Sequence, residues 1–148
     1  MARKKKKDLA EVVALKIVHL WETECKRDVE FKPKKLDISM DITTSKLNSR
    51  DEKLLPYSCQ IYLTATDKTE AKEAFVISAK YCLVYEFKEE YEASEQEFEN
   101  FGRINVVFNA WPYIREYVQN TLARMNFGPL VLPSVTIGEL REKSKKKN

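Results

Sequence analysis

Histidine occurs once, at position 19, and cysteine three times, at 25, 59 and 82. These residue types most often carry nucleophilic or metal chemistry, so their spacing decides much. A single histidine with no serine or cysteine at a telling distance makes neither a catalytic triad nor a His-based metal site. Cysteines 34 and 23 residues apart fit no zinc knuckle and no CxxC pair. They read as buried or half-buried thiols in a reducing compartment. Carboxylates crowd into residues 86–99, where they suit a solvated face at the start of a helix rather than an acid–base dyad. Three glycines in 148 residues argue against a Gly-rich phosphate loop. The expectation is a protein that is not an enzyme and holds no metal or cofactor.

Charge is partitioned. Residues 1–7 carry five positive charges and residues 141–148 a net of +4; subtracting both from the total of +3 leaves −6 for residues 8–140. Basic ends of this kind can attract a membrane surface or nucleic acid, but such attraction is cheap and non-specific without interleaved aromatics. No specific nucleic-acid partner is expected. The leader "RKKKK" followed by "LAEVVALKIVHLW" imitates a secretory signal, yet Glu11, Lys16 and His19 interrupt the apolar run and no small-residue cleavage site follows. No stretch approaches the ~20 apolar residues of a membrane span. The reading is a soluble, cytoplasmic protein.

The richer signal is apolar. Met40, Tyr62, Tyr81, Tyr85, Phe87, Trp111, Tyr113 and Tyr117 are generous for one small domain. Core plus an oligomer interface accounts for them; so does a groove that takes apolar segments of other chains, for which methionine and aromatics adapt well.

The elements that must position these residues follow from periodicity. Leu9, Val12, Val13, Ile17, Leu20 and Trp21 make one stripe at helical spacing, with Asp8 as N-cap, and predict an amphipathic helix over 8–25. Four strands follow: 28–31, 36–44, 56–66 and 74–87. Leu36, Ile38, Met40 and Ile42 alternate on one face, as do Tyr57, Cys59, Ile61, Leu63 and Ala65, and Phe75 to Phe87 by twos. Residues 95–126 read as a long helix, with Pro112 either in a first turn or at a bend. Its residues Ile114, Val118, Leu122 and Met125 form one apolar stripe; Tyr113, Tyr117, Asn120 and Arg124 form a second. An extended apolar crossover, 127–137, and at most a short terminal helix end the chain. The organisation is a basic leader (1–7), one domain (8–140, strands within 28–88) and a solvated basic tail (141–148). Strands followed by helix make this α+β.

The stretch "NAWPYIREYVQNTLARMNFGPLVLPSV", 109–135, resembles the signature of the SecB family of protein-export chaperones. It carries the aromatic-Pro-Tyr-x-Arg-Glu run as Trp111, Pro112, Tyr113, Arg115 and Glu116. The helix-ending Arg124 follows, then Phe127, Leu130, Leu132 and Val135 of the crossover. The chain departs from the family in the placing of its crossover prolines, in the shortened second helix, in the added N-terminal helix and in its lysine tail, which suits a divergent, SecB-like member. The resemblance implies a four-stranded antiparallel sheet packed by a long helix, and an ATP-independent holdase that binds unfolded polypeptides in apolar grooves for protein export. It implies a homo-oligomer, a dimer or dimer of dimers, and contact with the SecA motor through an acidic sheet surface. The branch that guards antitoxins in toxin–antitoxin systems supplies the alternative: a dedicated chaperone of one antitoxin. A membrane-surface or nucleic-acid binder acting through the basic ends stands third. On this reading client contact falls on Phe31, Met40, Tyr62, Trp111, Leu130, Leu132 and Val135, and the oligomer interface on Tyr113, Arg115, Glu116 and Tyr117.

Overall fold

The computed structural model describes residues 5–30, 34–128, 130, 132, 134 and 136–147, the side chains of the last two excepted. The chain runs through a one-turn helix α1 (Leu9–Val12) and four strands, β1 (Val13–Arg27), β2 (Leu36–Lys46), β3 (Leu54–Asp67) and β4 (Lys72–Phe87). Then come α2 (Glu95–Phe101), a π-helical turn (Gly102–Val106), α3 (Val107–Arg124) and α4 (Ile137–Lys147). Neighbouring strands are all antiparallel, in the order β1-β4-β3-β2. The fold is α+β: one sheet with the long helix packed on one face.

Alternation explains the two central strands. On β3, Tyr57, Cys59, Ile61, Leu63 and Ala65 are all buried, and on β4 so are Phe75, Ile77, Ala79, Tyr81, Leu83 and Tyr85. Paired residues on adjacent strands share a face, so these rows form one apolar layer. α3 lays Ala110, Trp111, Ile114, Val118 and Leu122 on it, a stripe at helical spacing. Each large side chain buried here stabilises the fold by about 1.5–3 kcal/mol.

The N-terminal region corrects the sequence reading. Only Leu9–Val12 is helical; residues 13–27 form an edge strand paired with β4, and 28–30 are not a strand. The reason is two β-bulges. Pairing skips Lys16 between Leu15 and Ile17, and Trp21 between Leu20 and Glu22. Each extra residue shifts the strand's inner row by one, so that row runs 13, 15, 18, 20, 23, 25. The stripe that imitates a helix, Val13, Ile17, Leu20 and Trp21, mixes this row with an outer-face residue, Ile17, and a bulged one, Trp21. The count of four strands is as expected, but the first of them is a different segment.

Three smaller differences concern helices and a thiol. Pro112 lies inside α3, beyond its first turn; the departure from α-helical geometry falls upstream, at the π turn. The terminal helix runs on to residue 147 and carries the lysines expected in a solvated tail after a short helix. Cys59 and Cys82 are buried, but Cys25 is exposed on the edge strand.

Asp67 sets where β2 begins. Its buried carboxylate accepts backbone N–H groups from Lys34 (2.6 Å), Thr69 (2.7 Å), Glu70 (3.3 Å) and Lys35 (3.4 Å). These bonds, Lys34's foremost, favour the ionised form against burial and hold its pKa at about 2. The residue ties the β3–β4 turn to the entry of β2.

Candidate functional site

A groove of ≈ 700 Å³ runs beside β2, the outermost strand on that side of the sheet. Met40, Ile42 and Thr44 pair with the inner-face residues Leu63, Ile61 and Cys59; Asp41 and Thr43 pair with Tyr62 and Gln60 on the outer face. All five line the groove. A cavity that meets both faces of one strand follows that strand's edge, where unpaired backbone N–H and C=O groups stand. The opposite walls are α2 (Glu95, Phe98, Glu99), the π turn (Gly102, Arg103) and α4 (Leu140, Lys143, Ser144).

Local chemistry holds the wall in place. Ser94 caps α2: its hydroxyl accepts from Glu97 N–H and the Glu97 carboxylate accepts from Ser94 N–H, a reciprocal capping box. The Tyr57 hydroxyl donates to the Phe98 carbonyl at 2.7 Å, and the Lys46 ammonium sits 4.2 Å from the Phe98 ring centroid. Arg103 donates to Glu99 at 2.6 Å. Gly102 lets the π turn approach the sheet. A Cβ there meets Thr44 Oγ1 at 3.0 Å and Tyr57 Cε1 at 3.2 Å, so a larger residue requires those side chains to give way. π turns recur at functional sites because they re-aim side chains, and here the turn brings Arg103 to the groove.

The expected client residues are scattered. Met40 lines the groove and is 38% exposed. Tyr62, 46% exposed, lies on the outer sheet face, in a smaller hollow of ≈ 410 Å³ with Glu22, Glu24 and Lys26. Trp111 is 4% exposed and Leu132 6%, both within the core; Leu130 is half-buried against it. Phe31 and Val135 fall outside the described residues. Of the interface residues, Tyr113 is exposed, with its carbonyl accepting from the Tyr81 hydroxyl at 3.2 Å. The Tyr117 hydroxyl bonds Thr23 on β1, tying α3 to that edge. Glu116 is exposed, and the Nε of half-buried Arg115 is buried without a hydrogen-bond partner among the described residues.

Sequence reasoning missed Phe98, Gly102, Arg103 and Leu140. The first had a signal: Ser94 and Glu97 spell a capping box directly before it. Leu140 had only its position on a sparse apolar stripe of α4. Nothing in the local pattern marked Gly102 or Arg103.

Burial pushes the Tyr81 and Tyr85 phenols and the Cys59 thiol up to about 12, and the groove-lining Tyr57 phenol higher still, so all stay protonated near neutrality. No three His, Cys, Asp or Glu side chains among the described residues are placed to hold a metal ion, and no described helix is long and apolar enough to cross a membrane. The site presents apolar side chains, a strand edge with no neighbouring strand among the described residues, and rim charges of both signs.

A model of the family described as Preprotein translocase subunit SecB matches residues 22–148. The Protein-export protein SecB of Anaplasma phagocytophilum (strain HZ) is 22% identical over 121 residues, 78% of this chain and 77% of that protein. Among solved structures, the Mycobacterium tuberculosis Rv1957 SecB-like chaperone, in complex with a ChAD peptide from the Rv1956 HigA1 antitoxin, superposes with a TM-score of 0.77 at 17% identity, over 86% of this chain and 94% of that one. A protein of unknown function from Streptococcus agalactiae matches with a TM-score of 0.50 at 15% identity, over 82% and 96% of the two chains.

Proposed function

Since the chain belongs to the SecB family, we propose that it is a chaperone that holds unfolded polypeptide, without ATP, in extended form along the edge of β2. The observation that carries this is the groove's course: Met40 to Thr44, residues of both sheet faces, line it consecutively. An eleven-residue strand offers about 36 Å of edge. A client segment added there gains backbone hydrogen bonds whatever its sequence, and Met40 and Ile42 receive its alternate apolar side chains. Affinity then depends little on sequence, as a holder of many clients requires. α4 stands on the far side of the groove.

The other edge, β1, suits self-association. Leu20 and Trp21 are 44% and 53% exposed there; Leu20 pairs with Tyr81, whose ring meets Tyr113 of α3, and Trp21 lies under the Lys80 ammonium. On this reading Tyr113 and Arg115 meet a second copy, and Leu130 and Leu132 belong to the core rather than touch the client. Delivery of preproteins to the SecA motor follows from the family; the −6 charge of the body favours it, while the outer hollow mixes Glu22, Glu24 and Glu73 with Lys26 and Lys80.

A second reading, a dedicated chaperone of one antitoxin, is favoured by the likeness to a chaperone solved with an antitoxin peptide. It predicts strong preference for one client over unrelated unfolded chains. A membrane or nucleic-acid role for the basic ends has less support, since the Lys7 ammonium is already 3.0 Å from the Glu89 carboxylate. The deciding experiment is amide hydrogen exchange with and without a permanently unfolded, carboxymethylated protein. Added protection at residues 36–46 is expected, with no ATP present. Binding that leaves β2 unprotected removes the edge mechanism, and absence of binding removes the holding function.

A further inference from the structure

Residues 5–12 precede the family match, which begins at residue 22, yet they are built into the support of the groove wall. Leu9 and Val12 are buried in the core, Asp8 accepts the Glu11 N–H to cap their turn, and Lys88 N–H donates to the Val12 carbonyl at 2.8 Å. The Lys7 ammonium lies 3.0 Å from both carboxylate oxygens of Glu89. The Tyr91 hydroxyl is 2.7 Å from Glu97 Oε1 and 3.0 Å from the Lys7 carbonyl, so its one proton serves two acceptors. Lys6 stands over the Tyr91 ring at 5.9 Å.

Glu97 is the junction. Its other oxygen accepts the Ser94 N–H at 2.8 Å and completes the capping box of α2. The next residue is Phe98, whose ring and carbonyl are held by Lys46 and Tyr57 at the groove. A continuous path therefore joins the Lys7 backbone, through a phenol and a carboxylate, to the wall that faces β2. Glu97's bond to Tyr91 keeps the phenol protonated, its pKa up at about 12, and draws the carboxyl below the usual range, so donor and acceptor both persist at neutral pH.

We propose that residues 5–12, acting through Tyr91 and Glu97, are a brace that positions α2 and sets the width of the client groove at Phe98. The proposal rests on the holding function argued above and adds two positioning residues to it. The Lys7–Glu89 part of the brace is exposed, so salt weakens it; the screening length is about 10 Å at 0.1 M. Leu9 and Val12 are apolar and insensitive to salt. The groove should thus loosen with ionic strength without the fold opening.

The test uses the full chain: wild type, Tyr91→Phe, Lys7→Glu, and the charge swap Lys7→Glu with Glu89→Lys. Two quantities are measured: amide exchange across residues 94–101, and affinity for the carboxymethylated protein. Tyr91→Phe and Lys7→Glu are expected to speed exchange at α2 and to weaken binding, each by about threefold to tenfold, while β3 and β4 stay protected. The charge swap is expected to restore both. Unchanged exchange at α2, exchange that rises equally across the whole sheet, or a loosened α2 with unaltered affinity each overturns the brace. A wild type that captures no unfolded protein overturns the holding function instead, and is recognised without any variant.

Discussion

The two edges of the sheet expose unpaired backbone in opposite ways. β1 is fifteen residues long and broken by bulges at Lys16 and Trp21. β2 is eleven residues long and pairs with β3 from Leu36 to Lys46 without a shift. A bulge twists an edge and interrupts its ladder, which discourages casual pairing along it. A regular edge invites pairing unless something stands beside it. At β2 that something is a helical wall, which the bare Gly102 allows close to the sheet and Tyr57 pins at Phe98. The contrast teaches that an edge can be guarded by its own geometry or kept regular and gated by neighbours. On the proposed function, the gated edge is the one that takes and releases an extended chain.

The comparison breaks first at Gly102. Gly102→Val places methyl groups where a Cβ already meets Thr44 and Tyr57, and overpacking of this kind costs about 1–3 kcal/mol. Denaturant unfolding should show that loss, and client binding should fall with it. Retained stability and binding mean that the wall is not seated as described.

A matched pair sharpens the comparison. Met40→Lys on β2 is expected to weaken client affinity about tenfold, or 1.4 kcal/mol, and to leave solution mass unchanged. Leu20→Lys on β1 is expected to lower solution mass and leave affinity per chain unchanged. Binding titrations and sedimentation on both variants decide it; identical effects from the two positions erase the distinction between the edges.

The smallest effect lies in pH. Asp67 fastens the entry of β2, with a folded pKa of about 2 against an ordinary value near 3.9. A depressed carboxylate pKa adds stability that is present above the unfolded value and is lost as pH falls through the folded one. The unfolding midpoint of the wild type should therefore decline between about pH 4 and pH 2, and that of Asp67→Asn should lack this component. Parallel acid profiles contradict the role given to Asp67.

How much of this was legible varies by region. β3 and β4 were read nearly residue by residue, because both are central strands with one face under α3, and burial enforces the dyad from Tyr57 to Ala65 and from Phe75 to Tyr85. The apolar stripe of α3 and the SecB-like motif from Trp111 to Glu116 were equally plain. β1 was misread as helix because its bulges are settled by pairing with β4, a partner more than fifty residues away. Trp111 looked like a contact for clients and is core, since sequence spacing states that a residue is sticky but not which of two layers takes it.

By itself, then, the sequence determined the fold class, the inner faces of the central strands, the family and the lack of an obvious catalytic or metal motif. Each rests on residues close together in the chain, whose periodicity or order reports directly on burial. The tertiary structure alone decided which strand edge faces a groove, that Phe98, Gly102 and Arg103 wall it, and that Lys7 reaches Glu89. A groove is the space left between elements, and no single segment's pattern encodes a gap that forms only when β2, α2 and α4 have packed.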